Sequence, residues 1–78
     1  MGRGEVLDFV VFHDGHEDGR FRSEADPEDH HQLRELLLDY MDRQHGVNEV
    51  ALGEFEMDVY DQHRTEPLYR FVPAQVEV

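Results

Sequence analysis

One segment constrains the fold of this chain more than any other, because it carries a single apolar stripe at helical spacing. Asp26 and Pro27 precede the stripe as an N-cap residue and a first helical residue, and Gly46 follows it as a natural helix end. We therefore predict one amphipathic helix over about 27–45, which must pack on a second layer to bury its stripe. The stripe consists of Leu33, Leu36, Leu37, Tyr40 and Met41.

The residues before the helix predict a β-hairpin. Residues 5–13 are rich in Val and Phe and apolar on both faces, which is typical of a central strand. Two Asp-Gly dipeptides follow within six residues, so we expect a loop from Asp14 to Gly19. Residues 20–25 then alternate and form the return strand.

The residues after the helix predict two further strands. Residues 54–61 alternate between apolar and polar side chains, whereas Val50 and Leu52 have the opposite parity. A bulge at Gly53 would reconcile the two parities. Residues 67–72 are the last core strand, and the proline that follows places that strand at a sheet edge.

The predicted fold class is α+β, with the order β-β-α-β-β. It is a single small two-layer domain, a mostly antiparallel four-stranded sheet with one helix packed on one face. Residues 1–78 form this one domain. Residues 1–4 are assigned to an N-terminal tail, and 74–78 either extend the last strand or form a second tail.

The net charge of the chain limits the classes of partner that it can bind. Nineteen Asp and Glu stand against seven Arg and no Lys, for a formal net charge of -12. This balance argues against direct contact with nucleic acid or an anionic membrane, both of which attract clustered basic residues. No apolar run could span a bilayer, and the first residues do not resemble a signal peptide, so we expect a cytoplasmic protein. The expected partner is a protein with a basic surface.

Two acidic patches are the predicted partner-binding sites. One lies in the hairpin loop and the other is a ladder on the third strand. Same-face residues of a strand lie about 6.7 Å apart, roughly twice the rise per nucleotide of a DNA strand. A non-catalytic module of this kind, similar in character to the small acidic inhibitors that viruses and mobile elements encode, could imitate nucleic-acid phosphates and occupy a basic protein surface. The patches are Asp14, Glu17 and Asp18, and Glu54, Glu56 and Asp58.

Two alternatives stay open. The first is a salt-adapted structural homo-oligomer whose acidity serves solubility, with Val10, Phe12 and Tyr60 as a self-association surface. The second is a His/carboxylate metal binder, since the chain has six His. His13 and His16 are its nearest candidates, although no metal site and no cofactor are predicted.

Enzymatic activity is not expected. The chain has no Cys and no Lys, and Ser23 and Thr65 are its only Ser and Thr. No glycine-rich motif is present that could cradle a phosphate group. Paired carboxylates and imidazoles occur throughout so acidic a chain, and they carry no weight as a catalytic signal.

Overall fold

The computed structural model describes residues 4–63 and 65–73. It confirms an α+β fold, in which one main helix packs on a four-stranded antiparallel sheet with the strand order β2-β1-β3-β4. Residues 1–3 of the predicted N-terminal tail and residues 74–78 of the predicted strand extension or tail lie outside the described residues. The elements are β1 (Glu5–His13), β2 (His16–Ala25), α1 (His30–His45), a 3₁₀ helix (Glu49–Glu54), β3 (Phe55–Asp61) and β4 (Tyr69–Phe71).

The core lies between α1 and one face of the sheet. Alternate residues of each strand point to this face because successive side chains of a strand point to opposite sides. The central position of β1 is confirmed, since β2 and β3 pair with its two edges. Four of the five residues of the predicted stripe of α1 are buried, and Leu36 is half-buried against the core. The buried side chains of this core are Leu7, Phe9 and Val11 of β1, Ala25 of β2, Phe55, Met57 and Val59 of β3, Phe71 of β4, Leu33, Leu37, Tyr40 and Met41 of α1, and Leu52 of the 3₁₀ helix.

The hairpin turn is shorter than the sequence suggested. Only Asp14 and Gly15 connect β1 to β2, so the prediction of a six-residue loop is wrong. Both residues have positive φ, 52° and 84°. Two successive residues of this kind make the turn whose twist matches paired strands, and Asp-Gly is a favoured sequence for it. The return strand therefore begins at His16.

One extra residue interrupts β2 near the turn. Val11 pairs with Gly19 and Phe12 pairs with Glu17, which leaves Asp18 without a partner on β1. Such a bulge moves a side chain out of the regular alternation of the strand. The carboxylate of Asp18 consequently lies on the helix side of the sheet, where the hydroxyl of Tyr40 donates to it at 2.7 Å.

The ends of α1 differ from the prediction at one side only. The helix begins at His30, and Asp29 is its N-cap, accepting from the N–H of Gln32 at 3.1 Å. Asp26 instead accepts from the N–H of Glu28 in the turn before the helix. The helix ends at His45 as predicted, and Gly46 caps it with a φ of 66°.

The segment before β3 is a 3₁₀ helix, so the predicted bulge at Gly53 is wrong. Asn48 caps this helix by accepting from the N–H of Val50 at 3.0 Å. Leu52 is buried whereas Val50 is 89% exposed, which a helical turn explains without any change of strand parity. β4 lies within the predicted 67–72 and forms the sheet edge.

The N-cap makes a first prediction. Asp29→Ala removes the acceptor for the free N–H of Gln32 and should cost about 1 kcal/mol of unfolding free energy. Urea denaturation followed by circular dichroism measures this. Asp42→Ala, in the last turn of the same helix, is the matched control and should change stability by less than about 0.5 kcal/mol. Equal losses in both variants would show that Asp29 is not the cap.

Candidate functional site

Four chain segments bring imidazoles and carboxylates together at the turn end of the sheet, on the helix side. We call this group the hairpin-end cluster and define it as His13, Asp18, His45 and Glu54. His13 ends β1, Asp18 is the bulge of β2, His45 ends α1, and Glu54 ends the 3₁₀ helix. Each member therefore lies at the end of a helix or strand or at a bulge. At such positions a side chain need not pack into the hydrophobic core.

Short hydrogen bonds link the members of the cluster in pairs. His13 Nε2 lies 3.0 Å from Glu54 Oε1, and His45 Nε2 lies 2.9 Å from Asp18 Oδ2. Asp14 also approaches His13 Nε2, at 3.7 Å. The ligand-type atoms of His13, Asp18 and His45 lie within 4.8 Å of one another, and so do those of His13, Asp14 and Glu54. His13 belongs to both groups.

An aromatic side chain fixes the orientation of both imidazoles. His13 stacks on Phe55, with ring centroids 4.3 Å apart and an angle of 5° between the planes. The ring of His45 is tilted against the same phenyl ring at 5.7 Å. Phe55 is fully buried, so it gives the two imidazoles a rigid base. About a third of each imidazole remains exposed, which leaves the cluster open to solvent.

Three groups of this region have shifted pKa values, two of them mainly through hydrogen bonds and the third mainly through burial. The hydrogen bond to Glu54 raises the pKa of His13. The hydrogen bonds from His45 and then from Tyr40 lower the pKa of Asp18. Burial, together with the hydrogen bond to Asp18, raises the pKa of Tyr40 to about 12. At neutral pH, Asp18 is therefore an ionised acceptor and Tyr40 is a neutral donor.

The two predicted acidic patches lie close together in space. On the open face of the sheet, Phe12 pairs with Glu17 on one side and with Glu56 on the other. At the turn, the N–H of Asp14 donates to the carbonyl oxygen of Glu54 at 2.9 Å. Patches separated by 36 residues of sequence thus form one region, the hairpin-end acidic surface, consisting of Asp14, Glu17, Asp18, Glu54 and Glu56.

The ladder on β3 does not present a free row of carboxylates. Arg70 of β4 lies beside it, with Nε 2.7 Å from Asp58 Oδ1 and Nη1 3.3 Å from Glu56 Oε1. Asp58 is only 8% exposed. Glu54 precedes β3 and contacts His13 rather than continuing the ladder. Two of the three carboxylates whose spacing suggests a row of phosphates, Glu56 and Asp58, are therefore paired with Arg70.

The residues predicted for self-association lie on the open face, as expected from their parity. Val10 is buried, and Phe12 and Tyr60 are half-buried. The guanidinium of Arg70 lies over the ring of Phe12, 4.4 Å from its centroid. Arg70 thus covers part of the apolar strip, and self-association through it stays a prediction.

Sequence reasoning found only part of the hairpin-end cluster. His13 was a candidate ligand, but His16 is exposed and belongs to neither group of ligand-type atoms. His45 was interpreted only as a favourable charge at the helix end, and Glu54 only as an acidic ladder residue. No local spacing could have revealed them, because residues 13 and 45 meet only when α1 packs on the sheet.

Comparison with protein-family models, curated proteins and solved structures finds no match to this chain. Among the residues that the structure describes, no helix has the length and apolar composition needed to cross a bilayer.

Proposed function

We propose that this protein is a non-catalytic binding module that uses the hairpin-end acidic surface to engage a protein with a basic surface. The observation that carries the proposal is the convergence of the two acidic patches around the Asp14–Gly15 turn. The short turn presents Asp14 at the tip of the sheet, and Glu17 and Glu56 flank Phe12 on the open face, so a partner can approach these three carboxylates without contact with the helix.

The distribution of positive charge supports the same proposal. Each of the five arginines in the described part of the chain already lies in an ion pair with a carboxylate. Carboxylates outnumber these arginines, so the net charge that a partner meets is negative even though Glu17 and Glu56 of the surface each contact an arginine. A negative field speeds encounter with a basic surface. The pairs are Arg20–Glu17, Arg22–Asp8, Arg34–Glu35, Arg43–Asp39 and Arg70–Asp58.

Binding to a fluorescent arginine-rich peptide tests the proposal. The peptide should bind at low salt, binding should weaken steeply as salt rises, and duplex DNA should compete by sequestering the peptide. Neutralising three members of the surface should weaken binding about 10-fold or more. The triple variant is Asp14→Asn, Glu17→Gln and Glu56→Gln, which spares the buried Asp58.

A second triple variant separates a defined surface from general acidity. Glu35→Gln, Asp39→Asn and Asp42→Asn lie on α1, are exposed, and remove the same number of charges. The proposal expects less than about a 3-fold loss for this control. Equal losses in the two variants would contradict a local site and favour acidity that serves solubility alone. Sedimentation of the unmodified chain tests the salt-adapted homo-oligomer directly.

A further inference from the structure

We propose that His13, Asp18 and His45, with Glu54 beside them, bind one divalent transition-metal ion of the Zn²⁺ type. The site shares Asp18 and Glu54 with the hairpin-end acidic surface, but the proposal does not rest on the proposed function, because it depends on the two imidazoles on the helix side of the sheet. It begins from the donor set. Two imidazoles and carboxylates are a common ligand combination for Zn²⁺, Ni²⁺, Co²⁺ and Cu²⁺. Mg²⁺ and Ca²⁺ prefer oxygen ligands alone.

The distances fit a four-coordinate ion after small side-chain rotations. Zinc bonds of about 2.0–2.1 Å place the ligand atoms of a tetrahedral site about 3.3 Å apart. The two imidazole–carboxylate contacts of the cluster are 3.0 and 2.9 Å, and the ligand-type atoms of His13, Asp18 and His45 lie within 4.8 Å of one another. The ligands are therefore already gathered to within about 1.5 Å of the required spacing.

Contacts outside the cluster hold these ligands in place. Phe55 supports the ring of His13, and Tyr40 donates a hydrogen bond to Asp18 at 2.7 Å. Such second contacts around metal ligands orient them and raise affinity. Both described hydrogen bonds to Asp18 fall on Oδ2, so Oδ1 remains outside them. The backbone positions of these ligands are set by the turn, the bulge and the helix end.

Local charge and access also favour a cation. Asp14, Asp18 and Glu54 surround two imidazoles, so the neighbourhood is negative whenever the imidazoles are neutral. The side chains of the two histidines are 33% and 32% exposed, and that of Asp18 is 19% exposed. An ion can therefore enter from solvent, and a water molecule can occupy a position that the protein does not fill.

Titration calorimetry of the full chain with Zn²⁺ tests the site. The chain is prepared without a polyhistidine tag and measured at pH 7.5, with Mg²⁺ as the comparison ion. We expect one saturable Zn²⁺ site per chain and no saturable Mg²⁺ binding. Cobalt(II) should give the intense visible bands of a four-coordinate site, and Zn²⁺ should raise the midpoint of thermal unfolding.

Matched variants locate the site. His45→Ala and Asp18→Asn should each weaken Zn²⁺ binding about 10-fold or more, whereas His16→Ala, one residue beyond the turn, should leave it unchanged. Asp18→Asn retains an oxygen that can accept from Tyr40, so it keeps the fold testable if another variant unfolds. The proposal is overturned if wild type shows no saturable site, if His16→Ala weakens binding as much as His45→Ala, or if Mg²⁺ binds equally well.

Discussion

Gly19→Ala should destabilise the protein by about 3 kcal/mol, although it adds only one methyl group. Gly19 follows the bulge of β2 on the face of the sheet that packs against α1. A Cβ atom built on its backbone would overlap the hydroxyl oxygen of Tyr40. Alanine therefore forces either the strand or the tyrosine to move, and both movements disturb the hydrogen bond between Tyr40 and Asp18.

Tyr40 has little freedom to move away from the added methyl group. It is 9% exposed, and its ring stacks against Phe21 with centroids 5.6 Å apart. Its hydroxyl donates to an ionised carboxylate at 2.7 Å. Overpacking a rigid core site costs about 1–3 kcal/mol, and losing a hydrogen bond to a charged group adds about 1.5–3 kcal/mol.

Thermal unfolding followed by circular dichroism measures the effect of Gly19→Ala, and the midpoint should fall by about 10–20 °C for a domain of this size. Gly53→Ala is the matched control, because a Cβ atom there has open space around it. The control should be neutral or stabilise the protein by up to about 1 kcal/mol. Equal midpoints for the two variants would mean that Tyr40 yields without cost.

The structure of the hairpin explains why its turn could not be predicted correctly from the sequence. The dipeptides Asp14-Gly15 and Asp18-Gly19 carry the same local turn signal, and only the first makes the turn. The second makes a bulge, where the missing side chain of glycine admits a tyrosine from the helix. The need for glycine at position 19 comes from the hydroxyl of Tyr40. A rule based on neighbours in sequence cannot predict it, because the two residues are far apart along the chain. The predicted loop was too long for this reason.

Alternation and helical spacing did predict which faces are buried. Phe9 and Leu37 could be assigned to the core from the sequence because burial repeats with the period of each element. The beginning of α1 is harder to predict from the sequence, because Asp26 and Asp29 are both suitable N-cap residues and lie only one turn apart. The predicted bulge at Gly53 failed because a short 3₁₀ helix and a strand of changed parity look alike over six residues.

The hairpin-end cluster depends on contacts that no local pattern encodes. His13 and His45 approach each other only because α1 ends above the end of β1, which brings their ring centroids to 5.5 Å. The pairing of Arg70 with Asp58 likewise depends on the register of β3 against β4. The sequence showed that Asp58 was acidic and on the open face, but not that an arginine would cover it.

Arg70→Ala should destabilise the protein by about 3 kcal/mol, because it leaves the carboxylate of Asp58 buried without its partner. The side chain of Asp58 is 11% exposed, and both of its oxygens accept from Arg70, at 2.7 and 3.2 Å. The variant also removes the guanidinium that covers the ring of Phe12 at 4.4 Å. Arg70 itself is half-exposed, so the loss should lie toward the lower end of the 3–5 kcal/mol or so that is typical of a broken buried pair.

Urea denaturation at neutral pH checks the Arg70→Ala prediction against two further variants. Arg20→Ala removes an arginine whose ion pair with Glu17 is well exposed on both sides, and it should cost less than about 0.5 kcal/mol. Adding Asp58→Asn to Arg70→Ala should restore part of the lost stability, because a neutral amide is easier to bury than an unpaired carboxylate. If the double variant is instead less stable than Arg70→Ala alone, the stability lost in Arg70→Ala arises from lost packing over Phe12. It does not arise from an unpaired carboxylate at Asp58. In that case water reaches and solvates the carboxylate of Asp58 once the arginine is removed, and the open face of the sheet excludes less water than the hydrogen bonds suggest.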